Sequence, residues 1–352
     1  MLYIEEFYLF WVCTITVTYD KITVRSNHYQ ERGIRIFMPE SEVQIVKRGN
    51  TIEFYDPKKV ESYLRRYVPD NVSVKDIVGL ITEFVEVKGQ VTSTEIQEEL
   101  YSIVEGLISA QAGHWQNVAG CIKADIIRKE VFTNRGFVRG LKKVFDMGYE
   151  AKQYTDFYKK YTDEEIKELE DYIDYSRDYY LNHVGVHIAY DRYTTSVPVT
   201  EERNGKKVVV KTEKIETLQE RYMAISMFLQ QNETGDRIAK VKEAYDMMSG
   251  AEYEGIGGPD FTPATPTFMN AGRPHGNLSS CFVGLSGDSI DDIYREAKQF
   301  ATVSKNAGGY GLYFGKVRSL GSSIRNKPGL SSGAVPFMKL FDVTAGAVDQ
   351  QG

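Results

Sequence analysis

The sequence predicts an α+β chain that turns into α/β towards its carboxy terminus. Three observations lead there. A short hairpin pattern near residue 43 is followed by a long run of helical periods; a second hairpin pattern interrupts those helices near residue 205; and from residue 280 a strand, a helix, a glycine-rich turn and another strand follow in βαβ order.

The first hairpin is "VQIVKRGNTIEFYD", with Gly49 and Asn50 at the turn. Asp56 and Pro57 in "DPKKVESYLRRYV" are a cap and a first helical residue, so a helix starts there. In "TSTEIQEELYSIVEGLISA", Ile96, Leu100, Ile103, Val104 and Leu107 share one helical face, and "HWQNVAGCIKADIIRKEVF" is a third helix. These elements form one expected compact unit over residues 43–133.

A second helical domain is expected over residues 134–262, built from "DEEIKELEDYIDYSRDYYLNHVGV", "ETLQERYMAISMFLQQ" and "DRIAKVKEAYDMMSG". The hairpin "TTSVPVTEERNGKKVVVKTEK" lies within it, turning near Asn204 and Gly205. Its tyrosines between residues 172 and 193 could form a stacking platform, but core and interface packing is the favoured reading.

The third domain, residues 263–352, begins within the Pro/Gly-rich "GIGGPDFTPATPTFMNAG". Its strands are "SCFVGL" and "GLYFGKV", and its helix is "SIDDIYREAKQFATVSKNAG". Ser289 caps that helix with Asp292 three residues on, and Ile290, Ile293, Tyr294, Ala297, Phe300 and Ala301 line one face. One βαβ unit cannot close a sheet, and "FDVTAGAVDQQG" patterns like a helix that stops without a tail; the expectation is that the chain is one part of a longer protein.

Composition narrows the class. With 352 residues, 42% of them hydrophobic, the chain can bury a substantial core in two or three domains. Its 43 basic and 49 acidic residues leave a net charge of -6, which argues against a general nucleic-acid coat, so phosphate binding must come from local sites. Cys13, Cys121 and Cys281 are odd in number and form no CxxC pair, which argues against a disulfide scaffold or a zinc site and suits a reducing cytoplasm. The apolar stretch "FYLFWVCTITVTY" is too short to span a bilayer, and Glu5 and Glu6 stand where a signal peptide carries positive charge, so no membrane association is expected. Residues 1–37 share no pattern with the chain from Met38 onward, and Glu31, Arg32 and Gly33 precede Met38 as a ribosome-binding site would encode; residues 1–42 are read as an extension and Met38 as the expected start.

Three constellations could carry chemistry. Lys47, Arg48 and Lys59, with Arg128 and Lys129, could surround a triphosphate, or could form a solvated basic face. Cys281 sits at a strand end after a turn-rich loop, either as an inert small core residue or as a thiol needing a second thiol nearby in space. Gly308, Gly309 and Gly311 permit close backbone approach, while Asp288 and Ser289 could take ribose hydroxyls or simply cap the helix. Asp291 and Asp292 make that helix start a poor phosphate cradle, which leaves Arg318 and Arg325 for phosphate.

Together "TPTFMNAGR", "LSSCFV", "GDSIDDI", "NAGGYGLYFGKVRSLGSSIR" and "SSGAVPFMKLFDVTAGAVDQQG" resemble the large catalytic subunit of class I ribonucleotide reductase. The segments "VKRGNTIEFYDPKKV", "VTSTEI" and "IIRKEVF" resemble the ATP-cone at that subunit's amino terminus. The resemblance implies an ATP-cone, a helical domain, and then the first part of a ten-stranded α/β barrel. It implies that Cys281 is the first redox cysteine, giving an electron as the ribose 2'-hydroxyl leaves as water and ending in a disulfide. By position it puts Thr265, Ser280, Cys281 and Gly309 at the substrate, and Asp288, Ser289, Ile290, Arg318 and Arg325 at the specificity-effector site. The activity site falls on Lys47, Arg48, Glu53 to Lys59, Ser93 and Lys129, with Ser93 where a threonine is often found.

The implied effectors are ATP or dATP and deoxynucleoside triphosphates. The implied partners are a ribonucleotide substrate, the remaining carboxy-terminal part of the subunit, a small subunit with a radical-generating metal cofactor, a thioredoxin- or glutaredoxin-like reductant, and a second copy in a homodimer. The radical cysteine and the second redox cysteine belong to the later part of the pattern, so this chain alone is expected to be inactive. A truncated nucleotide-binding fragment and an adenosylcobalamin-dependent reductase are the alternatives. A cone-bearing transcriptional regulator would need a zinc ribbon, and no CxxC pair is present.

Overall fold

The computed structural model describes residues 16–18, 21–23, 43–48, 51–138, 140–203, 205–250, 258–306 and 308–348. It divides into two compact units, Met1–Trp115 and Gln116–Gly352.

In the first unit, β1 (Thr16–Thr18) pairs antiparallel with β2 (Lys21–Thr23). The expected start at Met38 lies outside the described residues, as does most of the apolar stretch before Thr16. The hairpin expected from residue 43 forms from β3 (Gln44–Val46) and β4 (Ile52–Phe54), whose turn residues Gly49 and Asn50 are likewise outside the described residues. Helix α1 (Pro57–Leu64) starts where the sequence places it: Asp56 Oδ1 accepts from the Lys58 N–H at 3.0 Å, and Pro57 needs no partner for a missing N–H.

After α2 (Lys75–Lys88) comes a strand that periodicity does not reveal, β5 (Gln90–Thr92), which pairs in parallel with β3 and makes the sheet order β4-β3-β5. Three residues are too few to show an alternation. Helix α3 (Ser93–Gly106) follows immediately, closed by a reciprocal box: Thr92 Oγ1 accepts from Glu95 N–H at 3.1 Å, and Glu95 Oε2 accepts from Thr92 N–H at 2.8 Å. Ile45, Leu64, Ile77, Ile81, Val85, Val91, Leu100 and Val104 are buried; of the apolar stripe expected on α3, Leu100 and Val104 are thus in the core, while Ile96, Ile103 and Leu107 are half-buried.

The third helix is α4 (His114–Asn134), and here the unit expected over residues 43–133 needs correction. All but its first two residues belong to the second unit. The cause is polar as well as apolar. Ala124 joins the second unit's core, and Arg128 donates to the Tyr175 carbonyl at 2.8 Å and to the Tyr179 hydroxyl at 2.7 Å.

The second unit continues through α5 (Leu141–Glu150), a 3-10 turn (Phe157–Lys160), α6 (Asp163–Tyr172), a second 3-10 turn (Tyr175–Tyr180) and α7 (His183–Tyr193). The stretch that reads as one helical segment from Asp163 is thus broken twice. Asp174 and Asn182 adopt extended backbones and turn their side chains onto the N–H groups of Ser176 and Gly185, each at 2.9 Å, which restarts the helix. The long ribbon β6 (Ser196–Arg203) and β7 (Lys206–Lys214) then leads to α8 (Leu218–Gln230) and α9 (Arg237–Ser249).

Aromatic side chains dominate the core of this unit. Phe145, Tyr154, Tyr190, Tyr245 and Phe268 are each at most 2% exposed, and the packing role expected for the tyrosines fits Tyr190, Tyr175 and Tyr179, whereas Tyr172 and Tyr180 stand at the surface.

A short helix α10 (Thr265–Asn270) precedes β8 (Cys281–Leu285), α11 (Ile290–Lys305) and β9 (Gly309–Tyr313); β8 and β9 are parallel, as the βαβ order requires. Two details differ from expectation. The second strand begins at Gly309 rather than Gly311, so Gly309 and Gly311 are strand residues opposite Cys281 and Val283. On α11, Ile293 and Ala297 are buried with Phe341, but Ile290 and Tyr294 are 59% and 56% exposed, because a two-stranded sheet covers only part of the apolar face. Helix α12 (Val335–Ala347) packs Phe341 against α11 and leaves Val343 exposed.

Candidate functional site

The βαβ unit brings together three of the residues expected at a substrate site. Cys281 opens β8 as an exposed free thiol, and its register partner is Gly309. The Gly309 N–H donates to the Ser280 carbonyl at 2.7 Å, and the Ser280 hydroxyl lies 3.6 Å from Cys281 Sγ. The thiol, a hydroxyl and a side-chain-free strand start therefore share one strand end, an arrangement that gives a small polar ligand access to sulfur. Thr265 lies on α10, where its hydroxyl meets the Tyr193 hydroxyl at 3.1 Å. That helix is stitched to the approach to β8: Thr267 Oγ1 donates to the Leu278 carbonyl and Asn270 Nδ2 to the Asn277 carbonyl, both at 2.7 Å.

At the other end of β8, Ser289 caps α11 by accepting from the Asp292 N–H at 3.0 Å, so the capping reading of this serine holds. Asp288 is engaged otherwise. Its Oδ1 accepts from the Arg318 N–H and its Oδ2 from the Arg318 Nε, each at 2.7 Å, and Arg318 Nη1 reaches the Ser323 carbonyl at 2.9 Å. Those bonds, the backbone one above all, hold the Asp288 carboxyl below the usual aspartate range. Arg325 is exposed at a turn closed by two bonds between Ile324 and Lys327, both at 2.9 Å, where Arg325 and Asn326 take φ of 49° and 64°. The structure thus unites Asp288, Ser289 and Arg318 and carries Arg325 on the adjoining loop.

In the first unit, Lys47 and Lys59 converge on Glu53 at 2.6 and 3.0 Å, and the two ammonium groups, Lys47 first, lower the Glu53 pKa. The parallel pairing sets Val46 opposite Thr92, so Lys47 and Ser93 leave adjacent strands at the same level, and Arg48 Nε donates to Thr94 Oγ1 at 3.3 Å. Lys129 and Arg128 lie on α4 in the second unit, and Arg128 is engaged with Asp125, Tyr175 and Tyr179. The basic group read from sequence is therefore not assembled as one cluster in either unit.

Sequence reasoning missed the supports of α10. Arg221, fully buried, donates through Nε and Nη2 to the Phe268 carbonyl at 2.9 and 2.7 Å and through Nη2 to the Ala271 carbonyl at 2.9 Å. Arg273 Nη2 donates to the Tyr193 carbonyl at 3.0 Å. No local pattern announces contacts between residues so far apart in the chain. Among the described residues, no group of His, Cys, Asp and Glu could hold a metal ion, and no helix is long and apolar enough to cross a membrane.

Comparison with known proteins bears on this geometry. Residues 181–276 match the family model "Ribonucleotide reductase, all-alpha domain", and residues 279–352 match "Ribonucleotide reductase, barrel domain". The ribonucleoside-diphosphate reductase subunit alpha of Helicobacter pylori is 30% identical over 311 residues, 88% of this chain and 36% of that protein. The subunit alpha of Treponema pallidum is 38% identical over 195 residues, 54% of this chain and 20% of its own length. The large chain 2 of Saccharomyces cerevisiae is 43% identical over 119 residues, 34% of this chain and 13% of its own. The chain therefore spans about a third or less of the curated relatives it matches. Two consecutive family matches meet in the loop before Cys281, so that from residue 181 onward the chain matches in turn the all-alpha domain and the barrel domain of ribonucleotide reductase.

Proposed function

We propose that the chain is the amino-terminal part of a class I ribonucleoside-diphosphate reductase large subunit, and that the complete subunit reduces ribonucleotides to deoxyribonucleotides. The observation that carries this reading is the Ser280–Cys281 strand start facing Gly309, at the point where the barrel-domain match begins.

In this reading Cys281 and a second thiol from the rest of the subunit supply two electrons and two protons. The ribose 2'-hydroxyl leaves as water, a hydrogen replaces it, and the two sulfurs join in a disulfide, which an external dithiol of thioredoxin or glutaredoxin type reduces for the next cycle. Ser280, Gly309 and Thr265 hold the ribonucleotide. A small subunit with a metal cofactor supplies the radical, and the barrel is completed by sequence beyond this chain.

Asp288, Ser289, Ile290, Arg318 and Arg325 form the specificity-effector site for a deoxynucleoside triphosphate, beside a homodimer interface. The first unit from residue 43 onward acts as an ATP-cone in which Lys47, Arg48, Glu53, Lys59 and Ser93 take ATP or dATP, so that nucleotide occupancy sets overall activity by coupling between distinct sites. The protein works in the cytoplasm. The test is reduction of a ribonucleoside diphosphate by the complete subunit with its radical-generating partner: turnover that depends on deoxynucleoside triphosphates is expected, and its absence would overturn the reading.

A further inference from the structure

Thr265 is an exposed hydroxyl on a helix of only six residues, too short to hold a position by itself. The structure anchors it from the inside. At one end of α10, the Tyr193 hydroxyl meets Thr265 Oγ1 at 3.1 Å, and the Tyr193 ring lies on Phe268 with centroids 4.5 Å apart and planes inclined by 31°. The backbone of Tyr193 is fixed in turn, since its carbonyl accepts from Arg273 Nη2. At the other end, the buried Arg221 guanidinium collects the carbonyls of Phe268 and Ala271. Thr267 and Asn270 then tie the helix to the residues that lead into Cys281.

We infer that Tyr193 is a positioning residue for Thr265, setting its hydroxyl as a hydrogen-bond donor to an oxyanion of a bound ribonucleoside diphosphate. A threonine hydroxyl has one proton and two lone pairs. In the proposed relay the phenol, the more acidic of the two groups, donates into Thr265 Oγ1, which leaves the threonine proton directed away from Tyr193 for an anionic acceptor. Hydrogen bonds in such a relay polarise one another, so the threonine becomes a better donor than an isolated hydroxyl. Tyr193 does not touch the substrate; it acts through Thr265. The inference rests on the reading that Thr265 belongs to the substrate site.

The test is the steady-state reduction of cytidine diphosphate by the complete reductase bearing this chain, with Tyr193→Phe, Thr265→Ala and the double variant. Tyr193→Phe keeps the ring on Phe268 and removes one oxygen, so the melting temperature should stay within about 2 °C of the parent. Its KM should rise about three- to tenfold while kcat changes less than about twofold, the range expected for one lost hydrogen bond. In the double variant the KM should equal that of Thr265→Ala alone, because the tyrosine acts only through the threonine. A Tyr193→Phe enzyme with the parent's KM, or effects of the two substitutions that multiply, would overturn the inference while leaving the functional reading intact. A parent enzyme that does not turn over cytidine diphosphate would overturn the functional reading and this inference with it.

Discussion

Asp288 and Arg318, thirty positions apart, grip each other through both backbone and guanidinium: the carboxylate accepts the Arg318 N–H and Nε at 2.7 Å each. The carboxylate and the guanidinium proposed for an effector's ribose and phosphate are thus partners of one another. Asp288→Asn should loosen the segment from Lys316 to Ser331, and trypsin should cleave at Lys316, Arg318 or Arg325 faster than in the parent. Unchanged cleavage would show that the segment is held by its own internal turns.

The same contact has a pH dependence. Because the folded pKa of Asp288 is depressed below its ordinary value of 3.8, its contribution is fully present above that value and is lost as pH falls below it. Hydrogen exchange of the Arg318 amide should therefore show protection at neutral pH that fades only in strong acid, after correction for intrinsic rates. Loss of protection already near pH 6 would contradict the assignment.

Asp178 behaves in the opposite sense. Burial raises its pKa to about 6, offset in part by donation from Gln219 Nε2 at 2.9 Å and Tyr190 OH at 3.0 Å. A raised folded pKa means that this group favours folding below its unfolded value of 3.8, and that this contribution disappears as pH rises through about 6. Asp178→Asn should flatten the stability curve between those limits, measured by chemical denaturation at a series of pH values. A slope equal to that of the parent would place the titration elsewhere.

Arg135 and Glu220 form an ion pair at 2.9 Å with both side chains fully buried. Glu220 also accepts from the Tyr175 hydroxyl at 3.2 Å, while Arg135 Nε and Nη1 have no hydrogen-bond partner. Removing one member leaves a buried charge uncompensated, so Glu220→Leu should cost about 3–5 kcal/mol, or a fall in melting temperature on the order of 10 °C. The double change Arg135→Met with Glu220→Leu should recover most of that loss. A single variant within about 1 kcal/mol of the parent would contradict the burial of the pair.

What the sequence discloses depends on the range of the interactions involved. Asp56 with Pro57 and Ser289 with Asp292 announce their helices because cap and helix lie within four residues, and the βαβ order is visible because each element carries its own period. Strand β5 is hidden because its three residues are held by pairing with β3, not by any pattern of their own. The break between α6 and α7 is written in Asp174 and Asn182, residues equally at home within a polar helical face. In the candidate site, Cys281 stands out as a thiol at a strand end, but the Tyr193–Thr265 contact joins residues 72 apart and leaves no local trace. The placement of α4 with the second unit depends likewise on Arg128 meeting Tyr175 and Tyr179, 47 and 51 positions away.

The redox role proposed for Cys281 is tested most directly by replacing it with serine in the complete reductase and counting deoxyribonucleotides formed per enzyme, with an external dithiol present. Sustained turnover is expected for the cysteine enzyme and no multiple turnover for Cys281→Ser, which cannot form the disulfide that accepts external electrons. Normal steady-state reduction by Cys281→Ser would contradict that role.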